Sequence, residues 1–545
     1  MARTAADYGA VRDTAIHAGA RVIRDMPQLR TFVAVGSAAA RAKVNADART
    51  LGTSADHVRT LQSEDRPAPN LTSPGLRGAQ AVRLPDSVAA AEKAAVNPDP
   101  AFDYKGLQWD FRRIGLPQGW RTTAGKPGVT VGVADTGLDF THADLAPNIR
   151  RVVDFTQSED PPLCKTFFGT SDEELAAQFG GPATTDWNGH GSWIGGNIAA
   201  ALNGTGINGI APKVGLVALK ISGWCGSAYD STILAAFAYA ADAGIDVVSI
   251  SFGGFTDRSD PEQDLVYQQY VDAVRYARSK GTTIVASAGN DSTRIGAGGR
   301  ALSHGSLTTP GDEVVDYYGQ YETPGGVAGV VDVSATGNVV NASSPDCAPD
   351  TIGSVEDPNA TCKPTSDRHQ AAGTGRKDQL AYYSNYGPRI DIAAPGGARK
   401  FNLPNFDRGG TPGFPYTDAD LTNVWEDFST TSNWAVEIPC FTFDAAAGFP
   451  PNQCYSSIQG TSMAAPHVSA AIALAASAHP GLRHRPAALI DHVKARATTE
   501  VNYTRALSAT DTSPGDLTGV PCTTGYCHLE GPRISSADAY GAGLL

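Results

Sequence analysis

From residue 128 onward the chain alternates continuous apolar, β-branched runs with segments of helical spacing. GVTVGVAD, VGLVALKIS, IDVVSISFGG and TTIVASAGN read as buried strands; between them GSWIGGNIAAAL, DSTILAAFAYAADAG and residues 267–278 read as helices. Strands apolar on both faces must be covered on both faces. The alternation therefore predicts an α/β fold, a mostly parallel sheet between two helical layers, with its chemistry beyond the carboxyl ends of the strands. Ahead of this pattern, residues 10–18 and AAARAKVNADA read as helices, and ARVIRDMPQ, RTFVAVGS and RTLGTSADHVRTL as strands, a small α+β unit over residues 1–62. SEDRPAPNLTSPG then opens a turn-rich linker, residues 63–106. The larger domain, 107–545, carries two Gly- and Pro-rich insertions at about 291–326 and 397–459, placed to be surface or substrate-contacting loops.

Composition narrows the function. With 545 residues, 41% of them hydrophobic and 18% charged, the chain is globular and too apolar for disorder. Its net charge of -13, with no run of five basic residues, gives a phosphate backbone no footprint, so nucleic acid is excluded as a partner. Residues 1–62 are nonetheless basic, with nine Lys or Arg against five Asp or Glu, so the small unit and the acidic remainder attract each other. The most apolar stretch, 460–478, is built of small residues and interrupted by Pro466 and His467, short of a membrane span.

Eight cysteines without a C-x-x-C spacing point to disulfides in an oxidising compartment, hence to secretion. The first residues hold no apolar signal-peptide core, so a signal peptide is not expected within this chain. Cys347 with Cys362, Cys440 with Cys454, and Cys522 with Cys527 would close short loops and leave Cys164 with Cys225; other pairings are open to spacing alone.

Three motifs follow predicted strands or open predicted helices. Asp135 stands in VADTGLDFTHADL, His190 in DWNGHGSWIGG between Gly189 and Gly191, and Ser462 in GTSMAAPHVSAA at a helix N-terminus. Taken singly, the Asp and the Ser read as caps and the His as a structural residue. Together, in the order Asp, His, Ser, the three motifs are hard to produce by accident, and the constellation is the signal.

This order and these motifs resemble the subtilisin-like serine peptidases, the subtilase family, over about residues 107–545. The likeness rests on D-T-G-x-D-x-x-H-x-D-L, G-H-G, A-G-N at Asn290 and G-T-S-M-A-A-P-H. It implies that Ser462 attacks the scissile carbonyl, that His190 moves the proton, and that Asp135 steadies the imidazolium. It also implies an oxyanion hole made by the Asn290 amide and the Ser462 N–H. Substrate would lie as an added strand between Gly226 and Ser227 (with Cys225) and Ser251, Phe252, Gly253 and Gly254. The residues 1–62 resemble the family's propeptide with its first strand missing or degenerate, and the mature enzyme would begin between about Gln62 and Lys105.

The resemblance implies protein and peptide substrates, the chain's own propeptide as a partner, a monomer, no membrane or nucleic-acid partner, and no cofactor for the chemistry. A structural Ca²⁺ would be held by Asp144, Asn203, Thr205 and Ile207. The chain departs from the family where G-H-G continues with Ser192 and Trp193, and a Trp there would narrow the cleft. Two other outcomes of the same fold are acyl transfer to an amine, as in peptide-cyclising relatives, and a catalytically silent binding module. An α/β-hydrolase is disfavoured by the order of the three residues and by the missing second Gly of G-x-S-x-G.

Overall fold

The computed structural model describes residues 1–61, 69–82, 108, 110–303, 316–337, 380–381, 383–397, 427–443, 445, 448–498 and 536–545. A seven-stranded sheet forms the centre, in the order Ile392–Pro395, Val331–Thr336, Thr283–Ser287, Val247–Ile250, Thr130–Asp135, Gly215–Lys220 and Ile149–Asp154. Every pairing in it is parallel, as the continuous apolar runs predict.

Side chains leave these strands alternately to the two faces. Val131, Val133, Val247, Val285 and Val333 pack with Trp193, Ile194, Met463, Val468 and Ile472, from the helices His190–Ala199 and Thr461–Ala478. Ala134, Val248, Ile250 and Ile284 face the other way, onto Ile233, Phe237, Val266 and Tyr270 of the helices Asp230–Asp242 and Pro261–Ser279. Each fully buried aliphatic side chain contributes roughly 1.5–3 kcal/mol, so the two faces together fix the layering. The helix Pro261–Ser279 starts six residues before the predicted 267–278 because Asp260 caps it, accepting from the Glu262 N–H at 2.8 Å, and Pro261 preorganises its first turn.

Residues 1–46 make a separate layer. The strands Arg21–Met26 and Thr31–Val35 pair antiparallel, and the helices Tyr8–His17 and Ala38–Ala46 bury Val11, Ala15 and Val44. Of the expected last strand, Thr50 makes an isolated bridge to Ala2 within its own unit, and only Val58–Leu61 forms a strand, which pairs elsewhere. It enters between Ser227–Tyr229 and Phe252–Thr256 of the larger domain, antiparallel to both, where a free backbone edge is offered on each side.

The charge split takes material form along this contact: Arg59 pairs with Asp230, Arg30 with Asp272, Arg41 with Glu262 and Arg21 with Asp160. Linker residues 69–82 dock as well. Gln80–Val82 runs parallel to Phe441–Phe443, in a small sheet with Tyr455–Ile458 and Asp427–Thr430 built at the end of the second insertion.

The disulfides Cys164–Cys225 and Cys440–Cys454 are present, while Cys347, Cys362, Cys522 and Cys527 lie outside the described residues, as do 304–315 and 398–426 of the two insertions. Among the described residues no helix is long and apolar enough to cross a membrane.

Candidate active site

Asp135 ends its strand, and the next residues turn beneath the N-terminus of the helix that begins at His190. Gly191 makes the approach feasible: a Cβ there would stand 2.1 Å from the Gly137 carbonyl oxygen. Asp186, which sequence reasoning did not single out, ties the junction. Its Oδ1 accepts from the Thr136 hydroxyl (2.8 Å) and from the amides of Gly189 (2.8 Å) and Asn188 (3.1 Å), and its Oδ2 from the Ser192 amide (2.7 Å). Burial pushes the Asp186 carboxyl up, opposed by those amides and by the nearby Lys220. A buried Asp four residues before a helical His is the signal that could have found it.

The result is that His190 Nδ1 lies 2.9 Å from Asp135 Oδ1, both side chains being fully buried. Thr136 N–H donates to the same Oδ1 at 2.8 Å, holding the carboxylate in place. Nε2 of His190, the far ring nitrogen, is buried with no hydrogen-bond partner.

Ser462 is the second residue of the helix Thr461–Ala478, so its N–H belongs to the first turn, which has no intrahelical acceptor. Pro466 lacks the N–H that would bond the Ser462 carbonyl, and that oxygen instead accepts from Ser251 Oγ at 3.2 Å. Ser462 Oγ donates weakly to the Ser251 carbonyl at 3.5 Å. Asn290 follows the strand Thr283–Ser287 by three residues, and its Oδ1 accepts from both the amide (3.0 Å) and hydroxyl (2.7 Å) of Thr461. That fixes the carboxamide with Oδ1 as acceptor and Nδ2 as its donor arm.

Asp135, His190, Asn290 and Ser462 are thus gathered at the carboxyl end of the sheet. Beside them, Leu61 pairs with Phe252 and Thr60 with Gly253, while Thr60 and Arg59 pair with Ser227 and Ala228, and Leu61 N–H donates to the Gly226 carbonyl at 3.1 Å. The two segments named from sequence therefore flank one extended strand, and Ser251 lies next to the helix Thr461–Ala478.

Two expectations fail. The set Asp144, Asn203, Thr205 and Ile207 does not fit a calcium ion, because donors already occupy the carboxylate. Asp144 Oδ1 accepts from Asn203 Nδ2 at 3.0 Å, and Oδ2 from Ile207 N–H at 3.1 Å and Tyr455 OH at 2.9 Å, while Thr205 N–H turns to Asn203 Oδ1. Among the described residues no cluster of three His, Cys, Asp or Glu could hold a metal. Trp193 does not reach the cleft: it is fully buried between helix and sheet, and its Nε1 donates to the Ser456 carbonyl at 3.1 Å, a partner supplied by the second insertion.

Comparison with known proteins agrees with this architecture. The Subtilase family model matches residues 126–514. Thermitase of Thermoactinomyces vulgaris is 30% identical over 254 residues, covering 45% of this chain and 75% of its own. The thermophilic serine proteinase of Bacillus sp. strain AK1 is 31% identical over 199 residues, 36% of this chain and 42% of its own, and subtilisin Savinase of Lederbergia lenta is 32% identical over 186 residues, 34% and 56%. The chain thus spans three quarters of thermitase and about half of the other two. Among solved structures, the epidermin leader peptide processing serine protease of Staphylococcus aureus superposes with a TM-score of 0.57 at 16% identity, over 98% of this chain and 94% of that one. Fervidolysin of Fervidobacterium pennivorans, a keratinolytic enzyme, gives 0.54 at 20% identity, over 92% and 58%. Both show the same fold.

Proposed function

The chain belongs to the subtilase family, and on that footing we propose that it is a secreted serine endopeptidase made as a proenzyme. The observation that carries the reading is the buried 2.9 Å contact of His190 Nδ1 with Asp135 Oδ1, with Nε2 turned away from it and Ser462 at the head of the neighbouring helix. In the reaction Ser462 Oγ leaves its weak contact with the Ser251 carbonyl, passes its proton to His190 Nε2 and attacks the scissile carbonyl carbon. The oxyanion takes the Asn290 Nδ2–H and the Ser462 N–H, His190 protonates the leaving amine, and water resolves the acyl-enzyme by the same route reversed. Asp135 keeps the imidazole in the tautomer that offers Nε2 as acceptor.

Residues 1–61 act as the propeptide, and residues 226–228 and 251–254 as the substrate-binding edges. Support comes from the strand Val58–Leu61, which fills the groove in the manner expected of an extended substrate. The maturation cut then falls shortly after Leu61. Two disulfides support an oxidising location. Protein substrates, a monomeric state and independence of cofactors belong to the same reading. A fluorophosphonate probe tests it: Ser462 is labelled in the processed protein, casein is hydrolysed, and Ser462→Ala abolishes both. Hydrolysis that survives Ser462→Ala would refute it.

A further inference from the structure

Along Val58–Leu61 the side chains alternate, Val58 and Thr60 exposed and Arg59 and Leu61 buried, so a strand in this groove is read at every second position. Arg59 enters a pocket whose floor is acidic. Its Nε donates to Asp230 Oδ1 at 2.7 Å, Nη2 to Asp230 Oδ2 at 3.3 Å and to Thr256 Oγ1 at 2.9 Å, and Nη1 to the Phe255 carbonyl at 2.9 Å. Tyr270 OH donates to Asp230 Oδ1 at 2.6 Å from behind. Asp230, Thr256, Tyr270 and Arg59 are all buried. Every acceptor in the pocket suits the planar fork of a guanidinium, whereas an ammonium could meet only part of the set.

All groups in the pocket except Arg59 belong to the larger domain, so the pocket would remain when the N-terminal unit departs. An apolar side chain entering it would leave Asp230 buried without its cationic partner. We propose that Asp230 makes this site select substrates carrying arginine at the position occupied by Arg59, two residues before an apolar residue at the position of Leu61. The inference rests on the peptidase reading above for its catalytic consequence, but the pocket's preference is a property of binding.

Two measurements separate the inference from that reading. The full-length protein, allowed to process itself, is given peptides copying residues 56–66 with arginine, lysine, glutamine or leucine at the Arg59 position. We expect kcat/KM to fall in that order, with arginine ahead of leucine by on the order of 30-fold or more. Asp230→Asn should compress that range by lowering the arginine peptide most. In the unprocessed Ser462→Ala chain, where no cleavage intervenes, Arg59→Leu should speed hydrogen exchange of the Leu61 amide by at least about tenfold, with Arg59→Lys in between. Equal kcat/KM for arginine and leucine in an enzyme that a fluorophosphonate labels overturns the selectivity and leaves the peptidase. If no peptide is cleaved and Ser462 takes no label, the peptidase reading falls, and the exchange rates alone then decide: unchanged exchange in Arg59→Leu overturns the pocket.

Discussion

Thr461 donates its amide and its hydroxyl to the same atom of Asn290, at 3.0 and 2.7 Å, so the residue preceding Ser462 aims the carboxamide of a residue that follows the strand Thr283–Ser287. Helix start and strand end are registered to one another before any substrate arrives. Preorganisation of that kind is what makes an oxyanion donor effective.

Removing the donor should therefore act on the chemical step. In subtilisin the equivalent loss costs about 2.7–4 kcal/mol, a fall of roughly 10²–10³ in kcat. Asn290→Ala is expected to lose a similar factor with KM nearly unchanged, and steady-state kinetics on one peptide substrate checks it. Thr461→Val, which keeps the amide bond and removes the hydroxyl, should lose less than Asn290→Ala.

A second prediction concerns pH. Asp56 sits in the contact between the N-terminal unit and the larger domain, accepting from the Ser231 amide at 3.0 Å and facing Asp230 and Arg24. Burial, which outweighs the Ser231 bonds, pushes its carboxyl up to about 6. Once the unit departs, the group returns to about 3.9. Between those values the docked form holds more protons than the free one, so docking is favoured at low pH and weakens as pH rises through about 6. Affinity of the cleaved unit should drop between pH 4 and pH 8 by at most about a hundredfold, because the ratio of the carboxyl's acid constants in the free and docked forms sets the limit. Calorimetric titration of the Ser462→Ala larger domain with residues 1–61 at several pH values measures this, and Asp56→Asn should flatten the profile.

Arg389 supplies a third. Its guanidinium donates to the carbonyls of Gly325, Val327 and Val330 and to Asp391, and it stands beside the buried acids Glu322 and Asp332. Burial, opposed by Arg389, pushes the Asp332 carboxyl up to about 7. Deleting one partner of such a buried group costs about 3–5 kcal/mol, so Arg389→Ala should lower the calorimetric Tm by several degrees, and less at pH 5 than at pH 8, where holding the unpaired acids protonated costs more.

The linker makes a fourth. Gly75 N–H donates to the Ala435 carbonyl at 2.6 Å, and a Cβ on Gly75 would come within 1.9 Å of the Asn433 carbonyl oxygen. Gly75→Ala in the Ser462→Ala background should detach residues 69–82 from the second insertion and expose the bond after Arg77 to trypsin. Peptide mass mapping over time reads the difference, and equal cutting rates in the two chains would contradict the docking.

How much was legible in the sequence follows from the range of each interaction. The parallel sheet was readable because apolar runs such as GVTVGVAD and IDVVSISFGG carry their burial locally, and the four residues Asp135, His190, Asn290 and Ser462 because each sits in a short motif. Asp186 and Thr461 were missed because their role is to hold another residue; for Asp186 the spacing to His190 was the one local signal, and for Thr461 nothing beyond its place before Ser462 announces the bond to Asn290. Trp193 was misplaced because its partner, the Ser456 carbonyl, lies 263 residues away in an insertion. The calcium expectation failed for the same reason: Tyr455, distant in sequence, supplies a donor to Asp144. The segments that flank Val58–Leu61 were named only through family resemblance, while Arg59 and Asp230 meet across 171 residues, beyond any periodicity.

Ser462 is expected to cleave this chain's own linker shortly after Leu61. Intact mass of the protein expressed from Met1, compared with its Ser462→Ala variant after the same incubation, tests it most directly. The wild type should lose an N-terminal fragment ending within a few residues of Leu61 while the variant keeps its full mass. Loss of the same fragment from both chains, or a wild type that stays whole and takes no fluorophosphonate at Ser462, would contradict it.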